Sequence, residues 1–238
     1  TPALDTSISS LPQPPIAGTD VIAIKRTYDN GAALTAQMAG TTGAVTVEAS
    51  APFAQGDYIL VADCDAQAVF QATQVTSSPT TGSLSHAAVA VPTPGNASAD
   101  LTHVFNTDAS AYRVVTKTYF VAKSARNKAV NSLWSYSVPD YTGAGQPQEL
   151  VEGVDNLVLL YGEDTDSDQA ANRYVTADNV GNWNNVVSVR VQLLMASVQN
   201  GVSPISQTYN FNGASATSAD RRIRSVFTSV ITLRNRVM

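Results

Sequence analysis

The strongest constraint on the fold of this chain is a hydrophobic pattern that repeats every two residues, because no segment sustains the spacing of a long helix. The clearest case is residues 187–193, where four apolar residues alternate with three polar ones. Alternating side chains point to opposite faces of a β-strand. We therefore predict a strand with one buried and one solvated face. The buried face comprises Val187, Val189, Val191 and Leu193, and the solvated face Ser188, Arg190 and Gln192.

Similar β-rich segments recur along the chain and are separated by turn residues. The predicted strands are residues 20–28, 44–49, 57–62, 68–75, 111–122, 131–138, 157–161, 186–197, 205–211 and 223–233. The predicted turns, at 29–31, 77–82, 92–96 and 141–147, are rich in Gly, Pro, Ser and Asn. The most helical segments, 35–38 and 98–104, suffice for only a turn or two. The predicted fold is mainly β, with antiparallel sheets.

The chain has 238 residues, of which 44% are hydrophobic, and this is enough for a folded core. Residues 1–18 contain four prolines, so we predict an extended Pro-rich tail there. Residues 19–238 are predicted to form a single β-rich domain. About ten antiparallel strands create sheet edges that must be covered, charged or paired. We expect an N-terminal helix, missing from this chain, to cover them.

Charged residues make up only 14% of the chain, against about 25% in typical soluble domains. Surface polarity must therefore come from Ser, Thr, Asn and Gln, which suits an extracytoplasmic or assembling protein. The net charge is −5, whereas a duplex-binding protein needs a basic face, so no nucleic-acid partner is predicted. The basic residues that cluster are Arg221, Arg222, Arg224, Arg234 and Arg236.

Residues suited to catalysis or zinc binding are few. The chain holds two histidines, His86 and His103, and one cysteine, Cys64. We expect both imidazoles to be solvated beside loops, with a ligand or base role as the alternative. Cys64 is either a free thiol or half of a pair whose partner lies outside this sequence. Because the motifs of hydrolases, nucleotide-binding loops and zinc proteases are absent from the sequence, we predict no enzymatic activity and no required cofactor.

One acidic segment has side chains suited to binding a metal ion. Asp164, Asp166 and Asp168 occupy alternate positions directly after a predicted strand and Glu163. A short loop of this kind directs carboxylate oxygens at a hard cation, and the three aspartates are therefore a candidate calcium site. The alternative is a solvated acidic turn without metal, since such turns are common.

The acidic segment departs from an EF-hand loop at two positions. Gln169 stands where that loop has its glycine, and Val175 stands where it has a bidentate glutamate. Backbone carbonyls, Asn172 or Asp178 would have to complete a coordination shell.

Aromatic residues are few and concentrate in the second half of the chain. We expect them to pack in the core, and stacking against carbohydrate or a protein partner is the alternative. They are Trp134, Tyr136, Tyr141, Tyr161, Tyr174 and Trp183.

A series of short motifs runs from residue 17 to the C-terminus. They are Ala17–Ile24, Phe53–Cys64, Ala68–Gln71, Gln148–Leu157, Leu160–Asp168, Asn172–Tyr174, Trp183, Val186–Leu194, Asp220–Thr228 and Leu233–Arg236. In this order and spacing they resemble the periplasmic part of a PilW-type minor pilin of the type IV pilus. The later motifs are also similar to the J-type minor pseudopilin of type II secretion.

The resemblance implies an α+β pilin-like head, in which a long N-terminal helix packs on a β-sheet elaborated into a second β-layer. That helix is expected before Thr1 and is absent from this chain. The resemblance also matches Cys64 to an Asp-Cys pair of the family, which implies a disulfide with a cysteine in the missing segment.

The function implied by the resemblance is association without catalysis. Such a minor pilin assembles with other minor pilins, the major pilin and a PilY-type tip protein, and contacts the membrane only through the missing helix. It primes pilus assembly at the periplasmic face of the inner membrane and ends outside the cell at the pilus tip, where pili serve adhesion and twitching motility. The alternatives are a type II secretion pseudopilin and a secreted carbohydrate-binding β-sandwich.

Overall fold

The computed structural model describes residues 6–9, 11–28, 31–91, 94–139 and 146–234, and within them the fold is mainly β. The helical elements of these residues are α1 (Thr6–Ser9) and two 3₁₀ turns, Ala177–Asn179 and Trp183–Asn185. None of the helices in the described part of the chain has the length and apolar character needed to traverse a membrane. The strand registers are antiparallel. The predicted β-rich, antiparallel fold class is confirmed.

The chain divides into two compact units. The N-terminal unit comprises residues Ile24–Lys117 and Ser137–Gly143, and the C-terminal unit comprises Thr1–Ala23, Thr118–Tyr136 and Ala144–Met238. The predicted tail boundary at residue 18 and the single domain from residue 19 to 238 stay predictions.

The N-terminal unit is built from short strands. They are most of β1 (Ile22–Thr27), β2 (Ala32–Ala33), β3 (Val45–Glu48), β4 (Tyr58–Ala62), β5 (Gln67–Gln71), β6 (Gln74–Ser77), β7 (Thr81–Ser85) and the first part of β8 (Ser110–Lys123). Strand β4 lies between β5 and β8, while β7 lies between β3 and β6. Apolar side chains of this unit, among them Ile59 and Leu84 on strands and Phe105 in a loop, are fully buried in one apolar cluster.

The C-terminal unit contains the longer strands. They are the second part of β8, β9 (Asn131–Val138), β10 (Gln148–Glu152), β11 (Val154–Glu163), β12 (Arg173–Val175), β13 (Val186–Ala196), β14 (Thr208–Phe211), β15 (Ala214–Thr217) and β16 (Arg224–Thr232). Four of them form a sheet in the order β12-β11-β13-β16, called here the C-terminal sheet, and β14 pairs with β15 as a hairpin.

The described part of the predicted tail packs against the C-terminal unit. Residues 1–5 and 10 lie outside the described residues. The backbone N–H of Ile16 donates to the carbonyl of Val121 at 2.8 Å, and Leu11 and Ile16 contact apolar clusters. These residues therefore take part in the core.

Most predicted strands are present, with a few differences. The predicted strand 68–75 is two strands, β5 and β6, because the N–H of Ala72 donates back to Asp57 and the chain turns there. The predicted turn at 77–82 already contains the start of β7, and segments 35–38 and 98–104 are loops without helix. Of the predicted turns, residues 29–30, 92–93 and 141–145 lie outside the described part of the chain.

Candidate functional site

The C-terminal sheet aligns apolar side chains in rows across β11, β13 and β16. Directly paired residues of antiparallel strands project to the same face. One row is Leu157, Leu193 and Phe227, and another is Tyr161, Val189 and Ile231. Between them lies the row Leu159, Val191 and Ser229. These nine residues define what we call the apolar face, and β13 is its central strand, as the alternation of residues 187–193 predicted. The expectation that Ser188 is solvated on the other face is wrong, because Ser188 is buried.

Burial of the apolar face decreases steadily from one side to the other. Leu157 and Leu159 on β11 are buried against Val121, Ile16 and other residues of the same unit. The β13 side chains are half-buried. On β16, Phe227 is 60% exposed and Ile231 is 54% exposed. One end of each row is therefore part of the core, whereas the other end is open to solvent.

Strand β16 is an edge strand with little charge. Its residues are Arg-Ser-Val-Phe-Thr-Ser-Val-Ile-Thr, and the register with β13 contains no shift. The opposite face also carries an exposed apolar residue, Val230, which is 50% exposed. Large exposed apolar side chains that lie together on a sheet commonly mark interaction sites.

The only charge of β16 is neutralised at its start. The Arg224 guanidinium lies 2.6 Å from an Asp220 oxygen and 3.0 Å from an Asp155 oxygen. The hydrogen bond to Asp220, followed by the charge of Asp155, raises the pKa of Arg224. The same hydrogen bond from Arg224 keeps the pKa of Asp220 below its usual range. Arg222 lies 3.4 Å from the other Asp220 oxygen. Two members of the predicted arginine cluster, Arg222 and Arg224, thus belong to an internal ion-pair network. Arg236 lies outside the described residues.

The acidic loop joins β11 to β12 and brings the three predicted aspartates together. One oxygen from each of Asp164, Asp166 and Asp168 lies within 4.8 Å of the other two. Asp164 is buried, and its carboxylate accepts the backbone N–H groups of Ser167 at 2.6 Å and Gln169 at 2.8 Å. Partial burial raises the pKa of Asp164, but these backbone donors outweigh it and leave the pKa below its ordinary value. Asp164 therefore shapes the loop.

Asp166 and Asp168 are exposed and have smaller structural roles. Asp168 accepts the N–H of Ala170, and Asp166 accepts the side-chain amide of Asn172 at 3.0 Å. Asn172 in turn accepts the backbone N–H of Thr165 at 2.6 Å. Asn172 is thus beside the loop as predicted, whereas Asp178 is not in the group of converging carboxylates. Calcium binding stays a prediction.

Glu163 is separated from the other acids and is buried at the end of β11. Its carboxylate receives the N–H groups of Gly181 at 2.8 Å and Asn182 at 3.1 Å, and the Arg173 guanidinium at 2.8 Å. The hydrogen bond from the Asn182 N–H is the main cause of a lowered pKa of Glu163, and the bonds from Gly181 and Arg173 add to it. Burial acts in the opposite direction but is outweighed. A Cβ added at Gly181 would lie 3.4 Å from both Glu163 and Arg173, which is ordinary van der Waals contact. These contacts, called here the Glu163 clamp, connect the end of β11 to β12 and to the loop between β12 and β13.

The aromatic residues divide between core and surface. Trp134 is buried beside Phe120, as expected for core packing. Trp183 is 51% exposed and meets the ring of Tyr161 edge to face at 4.8 Å between centroids. The Arg190 guanidinium lies over the Tyr174 ring, 3.5 Å from the ring centroid. Tyr141 lies outside the described residues.

Cys64 and the histidines lie in the N-terminal unit. Cys64 is an exposed free thiol in the turn after β4, where Asp63 accepts the N–H groups of Asp65 and Ala66. His103 pairs with Asp63 at 2.9 Å. The expectation of a solvated His86 is wrong, because His86 is buried 2.7 Å from the Gly43 carbonyl oxygen.

Sequence reasoning missed two parts of this site. The exposed end of the apolar face was not predicted, although the spacing of Phe227 and Ile231 on a strand contains the signal. The role of Glu163 was also missed, because its partners Gly181 and Asn182 lie 18 and 19 positions further along the chain.

Comparison with known proteins identifies a family for the second half of the chain. Residues 118–235 match the family model PilW, described as type IV pilus-assembly protein W. The matched span contains the whole C-terminal sheet, the acidic loop and the Glu163 clamp, and it excludes Cys64. No curated protein and no solved structure matches the chain.

Proposed function

Because this chain belongs to the PilW family of type IV pilus-assembly proteins, we propose that it is a minor pilin that acts by association and not by catalysis. Its partners in this proposal are other minor pilins, the major pilin and a PilY-type tip protein. Together they prime assembly at the periplasmic face of the inner membrane, and the chain remains at the filament tip.

The observation that carries the proposal is the open end of the apolar face within the family-matched span. Phe227 and Ile231 project from β16 beside the half-buried Leu193 and Val189. Full burial of a side chain of this size contributes about 1.5–3 kcal/mol. An apolar pilin helix laid across the open end would therefore gain stabilisation from the two rows that end in Phe227 and Ile231.

The low charge of this region favours association for the same reason. Charged groups lose hydration when two surfaces pack together, and that loss is costly unless each charge is paired. Arg224 is already paired with Asp155 and Asp220, and residues 225–232 carry no charge. Docking on β16 therefore removes no unpaired charge from water.

Cys64 has a separate role in the proposal, which is a disulfide to a cysteine of a segment outside this chain. Its exposure on a turn supports this, since a bond to another segment requires an accessible thiol. Mass spectrometry of the protein purified from the cell envelope would detect that bond. Recovery of Cys64 as a free thiol in the assembled protein would contradict it.

Gene deletion in the source organism tests the proposed function. Loss of surface pili and of twitching motility, with both restored by the wild-type gene, is the expected result. Normal piliation together with a defect in protein secretion would support the pseudopilin alternative instead. Normal piliation with micromolar binding of the chain to a glycan would support the carbohydrate-binding alternative.

The acidic loop carries a second candidate function, weak calcium binding. The observation that favours it is the convergence of Asp164, Asp166 and Asp168 oxygens within 4.8 Å. Ca²⁺ takes 6–8 oxygen ligands, so backbone carbonyls and water would have to supply several. We expect a dissociation constant in the range of extracellular modules, about 10⁻⁴–10⁻³ M.

Calorimetric titration of the metal-free protein tests calcium binding. Heat and a raised melting temperature with Ca²⁺, both lost in Asp166→Asn/Asp168→Asn, are expected. Asp164 is left intact in this variant because it holds the loop backbone. The absence of heat and of a thermal shift at millimolar Ca²⁺ would eliminate the site.

A further inference from the structure

The loop between β13 and β14, residues 197–207, holds an Asn-Gly pair in a reactive arrangement. Asn200 and Gly201 are exposed in a turn of this loop. The backbone N–H of Gly201 donates to the side-chain oxygen of Asn200 at 2.8 Å. That oxygen is bonded to the Cγ atom of Asn200, so the fold places the amide nitrogen of Gly201 beside the carbon that it can attack. Holding two reacting groups together in this way removes part of the entropic cost of their reaction.

A second backbone group binds the same oxygen. The N–H of Arg221 donates to the Asn200 side-chain oxygen at 3.0 Å. A donor in this position stabilises the negative charge that develops on a carbonyl oxygen when a nucleophile attacks its carbon. The donor is itself held in place, because the carbonyl of Arg221 accepts the N–H of Ser203 at 2.9 Å. The surroundings of Asn200 therefore favour attack on its side-chain amide.

We propose that Asn200 is a site of spontaneous modification, at which its amide is converted to aspartate and isoaspartate with water as the co-reactant. The Gly201 nitrogen loses its proton to water and bonds to Cγ of Asn200, and the side-chain nitrogen gains a proton and leaves as ammonia. The product is a five-membered succinimide ring. Water then breaks one of the two C–N bonds of the ring. Cleavage at Cγ gives aspartate, and cleavage at the backbone carbonyl carbon gives isoaspartate. In total one water is consumed and one ammonia is released, without oxidation or reduction.

A second Asn-Gly pair, Asn212–Gly213, lies in surroundings that oppose the same reaction. It is the two-residue turn of the β14–β15 hairpin, with φ values of 50° and 75°. The paired residues Phe211 and Ala214 hold this turn on both sides. Formation of the ring rotates the backbone of the asparagine, so it requires the hairpin turn to open. Asn200 lies in a loop outside the strand ladders, and its reaction does not disrupt strand pairing.

Both products alter the contacts of the loop. Each replaces a neutral amide by a carboxylate beside Arg221, so the net charge of −5 becomes one unit more negative. Isoaspartate also lengthens the main chain by one methylene group. Asn200 and Ser203 bond to Arg221, and the N–H of Ser197 donates to the carbonyl of Ile223 at 2.8 Å. Isoaspartate therefore loosens the connection between this loop and the residues that precede β16. This modification goes beyond the proposed pilin function, and its failure would leave that function untouched.

Mass spectrometry of the whole chain, incubated in the folded state at neutral pH and physiological temperature, tests this reaction. The tryptic peptide of residues 191–221 contains both asparagines, and its fragment ions locate the mass gained when an amide becomes an acid. Electron-transfer fragmentation distinguishes isoaspartate from aspartate. Asn212 is the internal control, because it also precedes a glycine. A second sample is incubated in urea, where neither asparagine has a folded environment.

In the folded protein, Asn200 should react about tenfold faster than Asn212 and no more slowly than it does in urea. In urea the two asparagines should react at similar rates. Equal rates for Asn200 and Asn212 in the folded protein would overturn the proposal. A folded-state rate at Asn200 below its rate in urea would overturn it as well, because the fold would then protect this residue.

The variant Asn200→Gln tests both the site and its consequence. Glutamine has to close a six-membered ring, which is slow, so the variant should keep its amide, and an exposed substitution should leave the melting temperature unchanged. Amide hydrogen exchange at Ser203 and Arg221 should increase during incubation of the wild type and stay constant in the variant. An equal mass gain at position 200 in the variant would contradict the proposed chemistry. Unchanged exchange in a wild-type sample rich in isoaspartate would contradict the loosening of the loop.

Discussion

Strands β11 and β16 flank the same central strand, yet their surroundings differ completely. Both pair with β13 in antiparallel register, and both contribute apolar side chains to the same rows. Leu157 is buried beneath Val121 and neighbouring residues, whereas Phe227 in the same row is 60% exposed. The difference teaches that alternation fixes which face is apolar, while distant segments decide whether that face is covered.

The ends of the two strands differ in a related way. Strand β11 ends at Glu163, which is buried and holds Arg173, Gly181 and Asn182. Within the described residues, strand β16 has its ion pairs at Arg224, and beyond that residue its hydrogen-bonded neighbour in the sheet is β13. The β11 side is thus fixed by its own unit, whereas large apolar side chains on the β16 side are exposed.

The largest difference in stability is expected between alanine substitutions at the two ends of one row, Leu157 and Phe227. Leu157→Ala removes a buried side chain and leaves a cavity, so we expect a loss of about 2–5 kcal/mol in the free energy of unfolding. Phe227→Ala removes a mostly exposed side chain and should cost at most about 1 kcal/mol. Urea denaturation of the two variants measures the difference. Equal losses would break the comparison between β11 and β16.

Replacement of Glu163 should have an intermediate effect that depends on pH. The folded pKa of Glu163 is depressed, so its stabilisation is present above the unfolded pKa, near 4.3, and is lost as pH falls through the folded pKa. Glu163→Gln removes the carboxylate at every pH. We expect a melting temperature several degrees lower at pH 7 and a smaller loss of stability between pH 7 and pH 3.

Melting curves across that pH range, with Asp166→Asn as the control, test the role of Glu163. The control removes an exposed acid from the adjacent loop and should retain the wild-type pH dependence. A Glu163→Gln protein with wild-type stability at pH 7 would show that the clamp does not anchor β11.

The smallest effect should come from the exposed acids of the loop. Asp168→Asn should change the melting temperature of the metal-free protein very little, because Asp168 is exposed and, among the described residues, accepts a single hydrogen bond, from the N–H of Ala170. Asp164→Asn weakens the bonds to Ser167 and Gln169 and should loosen the loop. Amide hydrogen exchange of residues 165–170 distinguishes the two. Identical exchange in both variants would mean that Asp164 does not order the loop.

The fold class could be predicted from local sequence patterns, whereas the burial of the sheet faces could not. Alternation at Val189 and Val191 is a local property, so the strand and its apolar side were predictable. Burial of Leu157 depends on Ile16 and Val121, which lie far away in the sequence. The exposure of Phe227 has the opposite cause, since no distant segment of the described chain covers it.

Short elements and buried polar groups were equally hard to predict. Strand β12 has three residues, and its pairing with Tyr161–Glu163 defines it more than its own pattern does. His86 was expected in solvent, but the Gly43 carbonyl and the Phe70 ring provide it with a buried environment. The aspartates converged as their spacing predicted, because a turn of a few residues is sufficient to bring them together.

The central claim is that the open end of the apolar face is an assembly surface. The most direct test measures surface piliation of a deletion strain that is complemented with the full gene carrying Phe227→Lys and Ile231→Lys. The matched control is Val69→Lys, since Val69 is 63% exposed on another edge strand, β5. We predict that the double variant folds but piliates no better than the deletion, while the control is normal. Normal piliation by the folded double variant would contradict the claim.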